Sequence, residues 1–238
     1  IEDEIRKHGK QVNVSMFAFT ATPKPTTLQM FGRLNKNGQY EAFHIYSMKQ
    51  AIEEGFILDV LSNFTRYETF YQINKLVEND PRCKTNSAKR QIARFVQLHE
   101  TNIGQRIEVI VEHFKNMVMD ELGGQAKAMV ITSSRPEAVK YQKAFQKYIE
   151  HKGYKNIHAL VAFSGKVNLE GEEYTESSMN GFNEERLTKE FDKDEYQVLI
   201  VANKYQTGFD QPKLCAMYVL KKLKGVNAVQ TLSRLNRI

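Results

Sequence analysis

The fold is indicated most clearly by the stretch Ala128-Met129-Val130-Ile131-Thr132-Ser133-Ser134-Arg135-Pro136. Its first half, Ala128–Thr132, is largely apolar and predicts a buried strand. Ser134 suits the N-cap of a helix and Pro136 its first turn, so Pro136–Glu150 is predicted to be helical. A buried strand that passes directly into a helix is the repeating unit of a parallel α/β sheet.

The same alternation continues towards the C-terminus. We expect strands at His158–Phe163, Val198–Ala202 and Ala216–Leu220. Helices are predicted at Phe182–Phe191 and Val226–Ile238, and a polar loop is predicted at 164–181. Crossovers between parallel strands are right-handed, and functional loops leave the carboxyl ends of such strands. The predicted fold class is therefore α/β, with the residues of interest at one edge of a parallel sheet.

The pattern is less regular towards the N-terminus. We expect a buried strand at Val12–Phe19, a linker at 24–40 and a short strand at Glu41–Tyr46. A helix is predicted at Met48–Leu61, and Ala88–Met119 is predicted to be one long helix or a pair broken near Gly104. The sequence has no initiator methionine, and its first predicted strand has no earlier strand to pair with. We therefore expect the natural protein to be longer at both ends.

Composition excludes several classes of protein. Of the 238 residues, 41% are hydrophobic and 26% are charged, as in ordinary globular domains. The apolar runs are too short to cross a bilayer and no secretory signal is present, so we expect a cytoplasmic location without membrane contact. Cys83 and Cys215 lie far apart, and no histidine or cysteine cluster has the spacing of metal ligands, so no metal site is predicted. The net charge of +6 is compatible with a polyanionic partner.

Hydroxyl-bearing side chains follow two of the predicted strands. Thr20 and Thr22 come directly after the first strand, where such residues cap a strand end or hydrogen-bond to a neighbouring loop. The second group occupies a strand-to-helix turn and consists of Thr132, Ser133, Ser134 and Arg135. Hydroxyls, backbone amides and an arginine at a helix N-terminus suit a phosphodiester, and a helix cap is compatible with that role.

Two further segments lie nearer the C-terminus. Thr207-Gly208-Phe209-Asp210 follows the strand Val198–Ala202 and, taken alone, indicates a tight turn. Helical spacing would place Gln230, Arg234 and Arg237 on one face. Two guanidinium groups and an amide suit a γ-phosphate, whose transition-state charge an arginine stabilises, although a solvated basic helix face has the same appearance.

The chain lacks a complete P-loop. Ser164-Gly165-Lys166 resembles the end of one, but Leu160 stands where the first glycine is required. Gly9-Lys10 fails in the same way, because Glu4 occupies that position.

The order and spacing of the four segments resemble superfamily 2 helicases from their third conserved motif to their sixth. The resemblance narrows to the restriction (R) subunit of type I restriction–modification enzymes. It is carried by the segments 17–24 (Phe-Ala-Phe-Thr-Ala-Thr-Pro-Lys), 46–61, 207–212 (Thr-Gly-Phe-Asp-Gln-Pro) and 225–237. It extends over essentially the whole chain, including the helical stretch around 86–119.

The resemblance implies a RecA-like motor region. Residues 1–36 would be the end of a first motor domain plus a linker, and residues 37–238 a second motor domain with a helical insertion at about 62–123. The family hydrolyses ATP with Mg²⁺, pulls duplex DNA past a bound complex, cuts it with a separate nuclease domain, and works with methylation and specificity subunits. Because the P-loop and the nuclease motif are missing here, this chain is expected to hold half of an ATP site and to be inactive alone.

The resemblance also assigns roles to residues by position. Gln230, Arg234 and Arg237 would act on the ATP phosphates, while Gly208 and Asp210 would form a cofactor-binding loop that links nucleotide state to DNA grip. Contacts to the DNA backbone would come from Thr132, Ser133, Ser134, Arg135 and Thr207. Coupling between the two motor domains would come from Thr20 and Thr22.

Two other functions stay open. The chain resembles other superfamily 2 DNA translocases and helicases in the same motifs, and an upstream nuclease motif would separate these from the restriction family. A non-catalytic α/β module that binds nucleic acid would use the same arginines only to hold phosphate. Removing Arg237 from such a module would lower its DNA affinity without any effect on ATP turnover.

Overall fold

The computed structural model describes residues 13, 15–60, 62, 100–205 and 209–235. It divides the chain into two units, Ile1–Phe56 and Ile57–Ile238, and each is described by itself. The domain boundary at residue 36 that the resemblance implies stays a prediction.

The described residues of the first unit form two short helices and a two-stranded hairpin. The helices are α1 at Pro25–Phe31 and α2 at Met48–Glu53, and the hairpin strands are β1 at Arg33–Leu34 and β2 at Tyr40–Glu41. The two strands pair antiparallel, and the Asn35 carboxamide oxygen accepts from two backbone amides in the turn. The segment predicted as a linker, 24–40, thus has regular structure, because Pro25 starts a helix and the turn forms a hairpin, and its role as a linker stays a prediction. The short strand expected at Glu41–Tyr46 is confined to Tyr40–Glu41.

The buried strand expected at Val12–Phe19 is wrong for the residues that the structure describes. Residues 15–19 belong to no strand, and the side chains of Phe17 and Phe19 are 80% and 96% exposed. A strand needs a neighbour for its backbone hydrogen bonds, and no strand in the described residues pairs with this segment. Apolar composition alone therefore did not determine its conformation.

The second unit is built on a four-stranded parallel sheet. Its strands are β3 at Lys127–Ile131, β4 at Ala159–Ala162, β7 at Val198–Val201 and β8 at Leu214–Val219. Their order across the sheet is β4-β7-β3-β8, and all three neighbouring pairs are parallel. Val130 lies between Ile200 on one side and Tyr218 on the other. The predicted α/β class, a RecA-like parallel sheet flanked by helices, is confirmed.

Strand β3 shows why this sheet is stable with helices on both faces. All five of its residues are buried. Ala128 and Val130 belong to one apolar cluster, whereas Met129 and Ile131 belong to another. Because successive side chains of a strand point to opposite faces, each cluster fills one side of the sheet.

Two long helices cover the first face. Helix α3 spans Glu100–His113 and continues as a π-helical turn at Phe114–Val118, and α5 spans Arg135–Lys152. Both contribute buried side chains to the same cluster, and Arg106 of α3 donates to the Tyr141 hydroxyl of α5 at 2.9 Å. In the described part of the chain, no helix has the length and apolar character needed to cross a membrane.

The opposite face and the connections use shorter helices. Leu187 and Phe191 of α7 (Leu187–Asp192) pack into the second cluster. Three further helical elements of the described chain are α4 at Glu121–Gly124, a 3₁₀ turn at Glu184–Arg186 and α8 at Val226–Leu232. The helix expected at Phe182–Phe191 is thus divided into a 3₁₀ turn and α7.

Helix α3 decides between the two predicted alternatives at Gly104 and shows where part of the predicted insertion packs. Gly104 does not break it, since the helix runs through that position and a side chain there would meet open space. The described part of the predicted insertion packs into the core, because Ile107 and Phe114 are fully buried in the main cluster. Residues 63–99, which hold the rest of that predicted insertion, lie outside the described residues.

The polar loop expected at 164–181 is wrong, because this segment has regular structure. Strands β5 (Lys166–Leu169) and β6 (Glu172–Thr175) form an antiparallel hairpin that leads into α6 (Glu176–Asn180). Its two-residue turn has positive φ at Glu170 and Gly171, as a tight hairpin turn requires. Polar composition hid the hairpin, since much of its surface is exposed.

The burial of α3 generates a test of its place in the core. We expect Ile107→Ala to lower the free energy of unfolding by roughly 2–5 kcal/mol, because the deleted atoms leave a cavity at a fully buried position. Val109→Ala, on the exposed side of the same helix, should change it by less than about 0.5 kcal/mol. Urea denaturation of the two variants beside the wild type measures both values. Equal small effects would contradict a core position for α3.

Candidate functional site

The candidate site is the edge of the sheet at which the four parallel strands end. The segments that leave this edge begin at Thr132 after β3, Phe163 after β4, Ala202 after β7 and Leu220 after β8. Parallel strands in one sheet bring such segments together although they are far apart in sequence. Several side chains bond from one of these segments to the next.

Thr132 holds the end of β3 to the end of β7. Its side chain is fully buried, and its hydroxyl donates to the Val201 carbonyl at 2.9 Å. Its backbone amide donates to the same carbonyl, also at 2.9 Å. Thr132 was predicted to contact DNA, but at this depth its hydroxyl does not reach the surface, and its part here is to fix the loop.

The N-terminus of α5 is partly occupied by the protein's own carboxylate. Ser134 is the N-cap and accepts from the Glu137 amide, while the Glu137 carboxylate accepts from the Ser133 amide at 2.6 Å. Glu137 is almost wholly buried, and this burial raises the pKa of its carboxyl against the opposing effects of the Ser133 hydrogen bond and the nearby Arg106 charge. The Ser133 amide, which the sequence offered as a phosphate donor, is therefore already engaged.

Arg135 is the exposed cation of this turn. Its Nη1 donates to the Ser164 carbonyl at 3.0 Å, so it joins the segment after β3 to the segment after β4. A guanidinium group carries five N–H donors, and one bond to a carbonyl leaves the others for a further acceptor. Ser133 is also exposed, and Ser134 is half-buried.

The segment after β7 is held in an uncommon backbone conformation. Asn203 and Tyr205 have φ of +56° and +62°, and the left-handed region is disfavoured for a residue as bulky as Tyr205. The Asn203 carboxamide oxygen accepts from Lys221 at 3.2 Å, which links this segment to the one after β8.

Lys204 anchors the same segment to a buried acid. Its Nζ lies 2.8 Å from a Glu176 oxygen and 3.1 Å from a Glu184 oxygen. The same Glu176 oxygen accepts from the Phe163 amide at 2.9 Å, so a single carboxylate joins the ends of β4 and β7. Burial raises the pKa of Glu176, against the effect of Lys204.

Arg234 reaches the segment after β7 from the C-terminal end of the described chain. Its Nη1 donates to the Phe209 carbonyl at 2.8 Å. The Phe209 ring is buried, with its centroid 4.7 Å from that of Tyr205 and 6.2 Å from that of Phe191. The loop that carries the predicted Asp210 is thus fixed by an aromatic anchor, and Asp210 itself is exposed.

The shared helical face predicted for Gln230, Arg234 and Arg237 requires correction. Helix α8 ends at Leu232, and Arg234 lies in the turn beyond it. Gln230 is half-buried within the helix. The Arg234 guanidinium is directed by its bond to a carbonyl and not by helical spacing.

Some predicted site residues fall outside the described residues, namely Thr207, Gly208 and Arg237. Thr20 and Thr22 lie in the first unit, where the Thr22 amide donates to the Thr20 hydroxyl at 3.3 Å. This local turn matches the capping role of such residues. Their coupling role stays a prediction.

The donors at this edge suit an anion better than a cation. Arg135 presents a guanidinium group here, and guanidinium groups pair with phosphate oxygens. Among the described residues, no three histidine, cysteine, aspartate or glutamate side chains are grouped as they would be to hold a metal ion. The residues present therefore fit part of a nucleotide or nucleic-acid phosphate.

Sequence reasoning missed several of these connections. Ser164 and Gly165 were considered only as a failed P-loop, and Glu137 and Lys204 were given no role as anchors. The sequence could have indicated these residues by their position, since each of them follows a predicted strand or lies in the first turn of the helix after it.

Comparison with known proteins agrees with the resemblance stated above. Residues 171–238 match the family model described as type I restriction enzyme subunit R domain 3. The MjaIXP type I restriction endonuclease subunit of Methanocaldococcus jannaschii is 30% identical over 245 residues, which cover 95% of this chain and 22% of that protein. The HindI endonuclease subunit of Haemophilus influenzae is 27% identical over 252 residues, again with 95% and 22% covered.

A third relative extends the match to a further organism. The SsaAORF53P type I restriction endonuclease subunit of Staphylococcus saprophyticus is 26% identical over 276 residues, covering 98% of this chain and 27% of that protein. The chain thus spans about a quarter of the length of these relatives, or less. Over nearly all of its length, this chain is a relative of the endonuclease (R) subunits of type I restriction enzymes.

Proposed function

We propose that this chain is part of the ATP-driven, DNA-translocating and DNA-cleaving subunit of a type I restriction enzyme. In this proposal it contributes half of an ATP site and part of the track that follows the DNA backbone. The proposal is carried by the match of residues 171–238 to the type I restriction enzyme subunit R domain 3 and, within that match, by the bond from Arg234 to the Phe209 carbonyl. This bond joins the arginine segment to the loop after β7, as a motor that links nucleotide and DNA sites requires.

The proposed DNA track begins at the turn after β3. Arg135 and Ser133 are exposed there, and Lys222 and Lys224 are exposed after β8 at the same edge. Such groups bind phosphates through charge and hydrogen bonds, without reading the bases. Binding along this edge should therefore be sensitive to salt and indifferent to sequence, and the choice of target would belong to a specificity subunit.

The proposed nucleotide contacts come from Gln230, Arg234 and Arg237. ATP, when bound with Mg²⁺, supplies the phosphoryl group whose hydrolysis drives translocation. Arg237 would place positive charge on the outermost phosphate, and Arg234 would keep the loop of Phe209 and Asp210 next to that charge. The donors for the rest of the nucleotide and the metal ligands would come from outside this chain.

The names of the relatives support the wider setting of the proposal. They are endonuclease subunits of restriction enzymes, so we place this chain in a complex with methylation and specificity subunits that acts on duplex DNA in the cytoplasm. The activity of the whole complex, including cleavage, would require parts that the relatives have beyond the matched region.

A non-catalytic module that binds nucleic acid is the second candidate. One observation favours it, namely that Arg234 bonds to a backbone carbonyl as a purely structural arginine does. In that case the arginines would contribute to phosphate binding or to stability, and ATP turnover would not depend on them.

ATP turnover distinguishes the two candidates. In the natural full-length protein, we expect Arg237→Ala to lower DNA-stimulated ATP hydrolysis by about 10³-fold or more, because an arginine at the γ-phosphate stabilises the charge of the transition state. DNA occupancy should be matched between the proteins. The control is Lys155→Ala, which removes an exposed cation from the loop before β4 at the other edge of the sheet. Unchanged turnover in Arg237→Ala would leave the phosphate-binding module as the better description.

DNA binding at the turn after β3 has its own test. We expect Arg135→Ala to weaken binding of a random-sequence duplex by about tenfold and to reduce the slope of log affinity against log salt by about one, because one phosphate contact is lost. Fluorescence anisotropy across a salt series measures both. An unchanged slope in Arg135→Ala, equal to that of Lys155→Ala, would remove Arg135 from the DNA track.

A further inference from the structure

The turn after β4 is shaped around the side chain of Arg135. Ser164 and Gly165 form this turn, and the Ser164 carbonyl accepts from Arg135 Nη1 at 3.0 Å. Gly165 follows with a φ of +75°, in the left-handed region. A Cβ added at Gly165 would lie 3.2 Å from Arg135 Nη1.

This distance of 3.2 Å determines whether Arg135 can keep its hydrogen bond to the Ser164 carbonyl when residue 165 carries a side chain. Non-bonded carbon and nitrogen atoms rest at about 3.5–4.0 Å, so the guanidinium group would have to retreat by a few tenths of an ångström. Its hydrogen bond to Ser164 is already at 3.0 Å, and hydrogen bonds weaken steeply as they lengthen. The guanidinium group is the end of a flexible chain, so it would move before the backbone does.

The Ser164 carbonyl also limits the freedom of an exposed side chain. Arg135 begins helix α5 at the surface, and a long arginine there samples many rotamers when nothing holds it. Because one bond of the Arg135 guanidinium group is fixed, its remaining N–H groups have a defined position and direction. A phosphate contact from a side chain that is already ordered loses less entropy on binding.

We propose that Gly165 is a positioning residue for the DNA backbone, which it serves by leaving the space in which Arg135 bonds to the Ser164 carbonyl. This inference rests on the proposed role of Arg135 in the DNA track. It gives a function to the Ser164–Gly165 turn, which is not a P-loop. The ligand it serves is a phosphodiester of duplex DNA, reached through Arg135.

The chain offers a matched control for the conformation of Gly165. Gly181 has a φ of +78°, close to that of Gly165, and a Cβ there would meet nothing within 4 Å. Gly165→Ala and Gly181→Ala therefore carry the same kind of backbone strain. They differ in whether the added methyl group meets Arg135.

The experiment measures affinity for a fluorescein-labelled 30-base-pair duplex of random sequence, by anisotropy, without ATP, in the natural full-length protein. We expect Gly165→Ala to weaken binding by about threefold, since a bond is displaced and not removed, and Gly181→Ala to bind as the wild type does. Melting temperatures should fall alike in both. In an Arg135→Ala background, Gly165→Ala should have no further effect on affinity, because the two changes act through one contact.

A second substitution covers the case in which Gly165→Ala folds poorly. Asparagine tolerates the left-handed region better than alanine and carries the same Cβ, so Gly165→Asn should show the same loss of affinity with less strain. Agreement between the two variants would assign the loss to the Cβ contact and not to the backbone.

The outcomes separate this inference from the proposed function. If Arg135→Ala weakens binding but Gly165→Ala binds as tightly as Gly181→Ala, the positioning role is overturned and the DNA track stands. If Arg135→Ala itself has no effect, the track at this turn falls, and the positioning role falls with it. Additive losses in the Gly165→Ala, Arg135→Ala double variant would show that Gly165 acts by another route and would also overturn the proposal.

Discussion

The parallel pairing of β3 with β7 on one side and β8 on the other is the constraint on which the second unit depends. A parallel arrangement makes every strand end at the same edge, so four segments that are distant in sequence must share one surface. It also buries both faces of each central strand, which requires helices on both sides. The position of Arg135 beside the segment after β4 follows from the shared direction of the strands.

The edge is held together by polar groups that the protein uses on itself. Thr132 bonds the end of β3 to the end of β7, and Glu176 bonds the ends of β4 and β7 through Phe163 and Lys204. Buried carboxylates are costly unless they are paired, and both Glu137 and Glu176 have such partners. The groups that remain exposed at the edge are mostly cations and hydroxyls, which leaves a surface of suitable charge for phosphate on a rigid frame.

The parts of the fold that could be predicted are those with strong apolar periodicity. Strands β3 and β7 and helix α5 were predicted within a few residues, because their apolar runs and the Ser134–Pro136 cap have only one good interpretation. The hairpin β5–β6 was missed because its residues are polar and its strands are short. The first predicted strand failed for the opposite reason, since an apolar segment cannot form a strand without a neighbour.

The candidate site was predictable only in part. Its position after a strand pointed to Arg135, and helical spacing with Gln230 pointed to Arg234, since arginine suits phosphate. Their bonds to the carbonyls of Ser164 and Phe209 could not be predicted, because a backbone carbonyl is present at every residue and only the fold decides which one is within reach. The same holds for Glu137, whose carboxylate takes the Ser133 amide because of the geometry of one helical turn.

The bond from Arg234 to the Phe209 carbonyl restrains both of its ends. An anion that draws the Arg234 guanidinium towards itself must first compete with that carbonyl, and success releases one restraint on the loop after β7. A movement of the loop that breaks the bond makes Arg234 Nη1 available to another acceptor, and so favours its contact with the anion. The two effects are equal in free energy, because linkage between two equilibria is reciprocal. Through one hydrogen bond of 2.8 Å, the conformation of the loop after β7 and the contacts of Arg234 would therefore depend on each other.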